Sequence, residues 1–268
     1  MGTFILQLLW NTLRKFWRDG GTHMAAGLAY YALLAMFPFT LGLLAILGYY
    51  LPLANMQEEM LGVLKNVLLL PPELIERNVS KIIEFRNALG VVSIIILLWA
   101  ISGVFGALNR SMNQAWNVQR DRNYLIRKFR DLLMALSAGT LLLLSIETNS
   151  LFPILRGLGI IEASLFLDIA GKLLSMLFVG IAFILIYKFV PNEKIRWKYI
   201  WPGTIFGIVF FDAAKSLFVV YLANFANYEM IYGSIASVIV LLVWIYYSAI
   251  ILIVGAELNS EYARMTVK

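Results

Sequence analysis

Residues 25–50 read AAGLAYYALLAMFPFTLGLLAILGYY, a run without one charged side chain. A helix needs about 20 consecutive apolar residues to cross a bilayer core, so this stretch is long enough to span. Five further long apolar runs follow, with few charges inside them, at Leu89–Leu108, Leu132–Phe152, Leu167–Val190, Ile200–Phe225 and Gly233–Ala256. Strands of a membrane barrel are about ten residues of strict alternation. These runs are continuous, and they predict an all-α, polytopic membrane helix bundle of six transmembrane helices.

Composition agrees with that reading. Of 268 residues, 61% are hydrophobic and 14% charged, against about 25% charged in soluble domains. Mean hydropathy is +0.79. A water-soluble fold could not cover its surface with so few charges, which excludes soluble enzymes. Cysteine is absent and His23 is the one histidine, so disulfides, thiolate nucleophiles and multi-histidine metal centres are excluded too. No cofactor is implied.

The net charge of +6 finds its explanation in the loops. One side of the six spans carries Arg14, Lys15 and Arg18, six basic residues between Arg110 and Arg130, Lys188, Lys194, Arg196 and Lys198, and Arg264 and Lys268. The other side carries Lys65, Arg77, Lys81, Arg86 and Arg156. Fifteen against five places both termini in the cytoplasm, and no nucleic acid is needed to explain the charge.

Two segments flank the membrane domain of residues 25–256, and a third, an outer hairpin, is included in it. Residues 1–24 read as a cytoplasmic interfacial helix, in which Leu6, Leu9, Leu13, Phe16 and Trp17 share a face opposite Gln7, Asn11, Arg14 and Lys15. Residues 53–88 read as an outer amphipathic helical hairpin broken at Pro71-Pro72, with Met56, Met60, Leu64, Val67 and Leu68 on its first stripe. Residues 257–268 read as a cytoplasmic tail. Pairs of small residues four apart, Ala25 with Ala29, Gly103 with Ala107 and Gly203 with Gly207, mark faces where helices approach closely. Pro38 sits in the middle of the first span, where it removes a backbone hydrogen bond and forms a candidate hinge or a fixed kink.

Charges inside spans cost about 2.5 to 3.5 kcal/mol each near a helix centre, so each one needs a partner or a purpose. The set is Glu147, Asp168, Lys172, Asp212 and Lys215. At about 1.5 Å per residue, Glu147, Lys172, Asp212 and Lys215 all fall in the outer half of the bilayer. They define either a polar substrate or ion pathway opening outward or a structural ion-pair network. Asp212 with Lys215 and Asp168 with Lys172 have the spacing of one helix face, so each pair can neutralise itself.

Three motifs resemble the YihY/virulence factor BrkB family: MAAGLAYYALLAMFP from Met24 to Pro38, ALNRSMNQAWNV from Ala107 to Val118, and YGSIAS from Tyr232 with GAELN ending at Asn259. The resemblance covers nearly the whole chain and implies a six-helix bacterial inner-membrane protein. It points to Tyr30, Tyr31 and Pro38, to Asn109, Arg110, Asn113 and Trp116, and to Tyr232, Gly233, Ser234, Glu257 and Asn259. By the charge-derived topology, Arg110 and Glu257 lie at the inner boundary, where they form either an ion pair or an inner gate. The label ribonuclease BN has been attached to this family, and one histidine cannot supply the zinc ligands it would require. The leading functional expectation is movement of an amphipathic, lipid-like or anionic solute, with membrane lipids as surroundings. A non-transporting scaffold for envelope proteins is the alternative, and an intramembrane enzyme comes third.

Overall fold

A computed structural model describes residues 2–50, 86–118, parts of 133–145, 165–224 and 235–267. Six helices are described along their length: α1 Gly2–Arg18, α2 Gly21–Tyr50, α3 Arg86–Ala115, α4 Leu165–Phe189, α5 Trp201–Asn224 and α6 Ile235–Val267. A 3-10 turn, Trp197–Tyr199, leads into α5. The described residues between 133 and 145 are helical, and no strand occurs among the described residues.

The helix ends follow from local chemistry. Gly20 adopts a positive φ of 71°, and its N–H donates to the Trp17 carbonyl at 3.2 Å. Glycine takes that left-handed conformation at no steric cost, so α1 stops there. The Gly20 carbonyl then accepts from Met24 N–H at 3.0 Å and opens α2. At the far end of α3, Asn117 has φ 52°. Asn117 N–H donates to Gln114 O at 3.1 Å and Val118 N–H to Asn113 O at 2.8 Å. This pair of bonds is the Schellman pattern, with asparagine in the place usually held by glycine.

The chain divides into two compact units. One comprises residues 1–25, 105–217 and 248–268, and the other 26–104 and 218–247. In the first, Met112, Val179, Tyr187, Val190, Ile200 and Ile253 are fully enclosed. Small residues set its packing: a Cβ placed on Gly203 would overlap the Gly255 carbonyl and the Asn259 side chain, and one on Gly255 would overlap the Tyr187 hydroxyl. A Cβ on Gly207 would come within 2.9 Å of the Phe183 ring. Without side chains at these points α5 and α6 touch backbone to backbone, the close approach that small residues permit in membranes. In the second unit Gly103 lies against the Tyr31 ring, and Phe218 meets Trp244 at 4.7 Å between centroids.

Three stretches among the described residues are long and apolar enough to cross a membrane: Ile169–Phe189, Trp197–Tyr221 and Val238–Thr266. Their outer faces carry Leu173 and Leu177 on α4 and Ile205, Val209 and Leu217 on α5, all exposed. Long stripes of bare leucine and isoleucine suit lipid and not water.

The structure changes several boundaries read from the sequence. The interfacial helix ends at Arg18, and Gly21–Met24 already belong to α2, because the Gly20 turn breaks the chain first. Residues 51–85, the body of the expected outer hairpin, lie outside the described residues, and Arg86 to Ala88 form the first turn of α3. The expected third span is described only within 133–145, so Glu147 also lies outside. The last helix does not stop at Ala256. It continues to Val267 with Glu257, Leu258, Asn259 and Glu261 buried, so the first residues after Ala256 pack inside the protein, while Arg264 and Thr266 beyond them are exposed. A buried carboxylate such as Glu257 is costly unless paired, and its partner comes from elsewhere in the chain.

The close contact at Gly203 carries a test. Gly203→Ala must push α5 from α6 and should cost about 1 to 3 kcal/mol, as overpacking does. Gly27→Ala meets nothing within 4 Å and should leave thermal stability in detergent unchanged or slightly raised. Equal melting temperatures for the two variants would contradict the backbone contact.

Candidate functional site

Two polar clusters lie inside the first unit. The first gathers the ends of helices. Lys15 of α1 points its Nζ into the protein, where it meets Glu257 Oε2 of α6, donates to the Ala115 carbonyl at 2.6 Å, and lies 3.2 Å from Asp19 Oδ2. Both Lys15 and Glu257 are buried. The Ala115 carbonyl is one of the last four of α3, which have no partner within their helix, and a cation at that end also complements the helix dipole. One ammonium thus bonds to a helix end and to one carboxylate and lies in ion-pair range of a second, the three groups coming from three parts of the chain. Arg18 Nε donates to Asp19 Oδ1 at 3.0 Å, and that bond raises the guanidinium above its ordinary pKa. Arg264 holds Glu261 through Nε at 3.0 Å and Nη2 at 2.5 Å.

Asparagines complete this end. Asn109 Nδ2 donates to the Val190 carbonyl at 2.7 Å and to Asn192 Oδ1 at 3.2 Å, while Asn113 Nδ2 donates to Asn109 Oδ1 at 2.8 Å. Asn192 N–H returns a bond to Asn113 Oδ1 at 2.8 Å. Three of these bonds tie the turn after α4 to the end of α3, and the fourth joins the two asparagines within α3. Asn259 Oδ1 accepts from Gly203 N–H at 2.7 Å and caps the start of α5, whose first N–H groups have no helical partner. Tyr187 donates its hydroxyl to the Leu252 carbonyl at 3.1 Å. Glu257 Oε1 and Asn259 Nδ2 are buried with no hydrogen-bond partner among the described residues.

The second cluster lies deep in the spans. Asp212 of α5 sits 3.4 Å from Lys215 on its own helix and 3.8 Å from Lys172 of α4. Lys215 Nζ donates to Ser175 Oγ at 2.8 Å, and Ser175 Oγ donates to the Ser145 carbonyl at 2.7 Å. Counting along α5 from Trp201, Asp212 and Lys215 lie about 17 and 21 Å in; counting back from Phe189, Lys172 lies about 26 Å in. Among the described residues two ammonium groups share one carboxylate. Lys215 is mostly enclosed, whereas the Lys172 side chain is 65% exposed.

The sequence-derived residues therefore separate. Lys172, Asp212 and Lys215 meet, and Glu147 is outside the described residues. Asn109 and Asn113 share one network, while Glu257 and Asn259 serve two different contacts on α6. The ion pair expected between Glu257 and Arg110 is not the one formed: Glu257 binds Lys15, and Arg110 is exposed, its guanidinium lying back over Gly106. The physical reason is register, since Lys15 shares the inward face of α1 with Leu8, Thr12 and Phe16, all buried. Pro38 is buried within α2 in the second unit, and α2 continues through it. Sequence reasoning put Lys15 on a solvated face and left out Ser175 and Asn192. The 8, 12, 15, 16 spacing was the signal available for Lys15. Among the described residues no group of three or more histidine, aspartate or glutamate side chains is placed to hold a metal ion.

The virulence factor BrkB family profile matches residues 12–268, which include both clusters. The chain belongs to the virulence factor BrkB family. It is 31% identical to a protein of Bacillus subtilis (strain 168), YfkH, whose name calls it ribonuclease-like, over 90% of this chain and 89% of the relative. It is 28% identical to the UPF0761 membrane protein NTHI0384 of Haemophilus influenzae (strain 86-028NP), over 92% of this chain and 91% of the relative. A UPF0761 membrane protein of Alkalilimnicola ehrlichii is 30% identical over 94% of this chain, which spans only 57% of that relative's length. No solved structure matches. Asn109, Asn113, Glu257 and Asn259, the residues to which the sequence resemblance pointed, all take part in the contacts at these helix ends.

Two stability experiments follow. Lys15→Met leaves Glu257 buried without a counter-charge and should cost about 3 to 5 kcal/mol, whereas Lys15→Met with Glu257→Gln should recover part of that loss. Thermal unfolding in detergent would show additive losses if the two side chains acted independently. In the second cluster Asp212→Asn strands two lysines and should lower the melting temperature more than Lys172→Gln, which removes only an exposed cation. Equal effects would mean that Asp212 is not the shared partner.

Proposed function

We propose that this membrane protein resides in the bacterial inner membrane with both termini in the cytoplasm and moves an amphipathic or anionic solute across the bilayer. The observation that carries the reading is the Lys172, Asp212, Lys215 and Ser175 cluster, with two cations to one carboxylate among the described residues. A purely structural set inside a span needs only to cancel its charge. This one leaves an exposed ammonium beside the apolar face formed by Ile169, Leu173 and Leu177, which suits a ligand that joins an anionic head to an apolar body. The orientation rests on the fifteen-to-five charge bias, and Lys188, Lys194, Arg196 and Lys198 lie at the same end of the first unit as the Lys15 cluster.

Catalysis is not part of the reading. One histidine and no cysteine leave the ribonuclease-like name of the Bacillus relative without a metal-ligand set to support it in this chain. The UPF0761 relatives carry the words membrane protein in their names, which agrees with a non-enzymatic role.

The natural absence of cysteine makes the test direct. Cysteine at Lys172 or at Ser216, which is exposed one turn from Asp212, should react with small membrane-impermeant thiol reagents from the outer side. Lysophosphatidylglycerol, an amphipathic anion, should slow that reaction, and an uncharged detergent should not. If both positions stay unreactive, the charges are sealed pairs and the non-transporting scaffold replaces transport.

A further inference from the structure

The outer face of α1 has no part in the solute reading. Leu6, Trp10, Leu13 and Trp17 recur at helical spacing and are 70%, 68%, 48% and 67% exposed. Arg14 and Arg18 are exposed on the same helix, and Gly2–Arg18 contains no acidic residue. Asp19, the first one, turns toward Lys15 and Arg18. The opposite face, Leu8, Thr12, Lys15 and Phe16, is buried in the first unit. The apolar residues that an ordinary amphipathic helix would turn inward therefore face out, and a lysine faces in.

Neighbouring residues fix the level of this helix along the spans. Lys15 meets Glu257, Asn259 two residues on caps Gly203, and Gly203 follows the exposed Trp197 and Trp201 at the entry to α5. Lys188 lies 5.0 Å over the Trp197 ring. Exposed tryptophans with lysine beside them at the end of an apolar span mark the headgroup level of a bilayer. The outward tryptophans of α1 stand within a few residues' contacts of that level. Helices that lie in the interface combine such an apolar stripe with flanking cations, and the cations favour anionic lipid.

We propose that the outer face of α1 docks on an anionic phospholipid leaflet, and that this docking holds Lys15 on Glu257, so that α6 reads the charge of the membrane surface. The two faces belong to one rigid helix, anchored at its end by the Gly20 turn. Lifting the stripe from the lipid withdraws Lys15 and leaves Glu257 buried without its cation. Lipid that favours the docked helix must then favour the packed end of α6 by linkage.

The full chain in nanodiscs tests both halves. With a polarity-sensitive fluorophore on a cysteine at Trp10, emission should shift to the blue. Aqueous iodide should quench it at least about threefold less in phosphatidylglycerol-containing discs than in pure phosphatidylcholine, as expected for two cations beside an anionic surface. The same probe at Thr266, exposed at the end of α6, should respond to neither lipid. Amide exchange across residues 252–262 should slow in the anionic discs. Glu257→Gln should abolish that slowing while the position-10 probe stays shielded. A position-10 probe that iodide reaches equally in both lipids overturns the docking surface, and so does shielding that depends on protein concentration instead of lipid, which would point to a second copy. Exchange independent of lipid charge overturns the coupling to α6.

Discussion

A buried ammonium can persist only where carboxylates and carbonyls replace its water, and Lys15 finds them in Glu257, Asp19 and the Ala115 carbonyl. Everything at this end of the molecule depends on that arrangement. It turns α1 so that its basic side chain faces in and its tryptophans face out. It allows α6 to carry a carboxylate past the point where an apolar span would otherwise stop. It also caps the end of α3, whose last turn is closed by Asn117 in the left-handed conformation. Burial of this kind specifies geometry more than it adds net stability, since an apolar replacement of similar shape can be as stable.

The same logic explains why asparagine and glutamate side chains stand at the helix ends of this chain. Helix ends expose N–H and C=O groups that lipid cannot satisfy. Asn109 and Asn113 take up backbone groups of the turn after α4, and Asn259 takes up the first N–H groups of α5. An amide offers both a donor and an acceptor without a charge to neutralise, which suits a boundary between membrane and water. The charged cluster deeper in the spans follows another rule. There Asp212 serves two lysines among the described residues, one enclosed and bonded to Ser175 and one open.

Fold class was legible because the bilayer imposes length and polarity so strictly. An uncharged run such as residues 25–50 has few alternatives to a spanning helix, and α2, α4 and α5 start and end close to the bounds their hydropathy suggests. Close approach was legible at two of the three small-residue pairs, since Gly203, Gly207 and Gly103 each sit where a Cβ would collide with a neighbour. Asp212 and Lys215 also could be paired from their three-residue spacing alone, because local geometry fixes what a helix face holds.

Partners distant in sequence were decided only by the tertiary structure. Lys15 and Glu257 are separated by 242 positions, and nothing in the spacing of either motif distinguishes Lys15 from Arg110 as the mate of Glu257. Amphipathic periodicity reports that a helix has two faces, but not which one meets protein and which meets lipid, so α1 reads from sequence with its lysine in solvent. The length of α6 beyond Ala256 has the same cause: hydropathy counts the cost of a carboxylate and cannot see the cation that cancels it. Local sequence determined which segments are helices and where they turn. Packing in three dimensions decided which charges are paired, because pairing is a property of distance and burial and not of order along the chain.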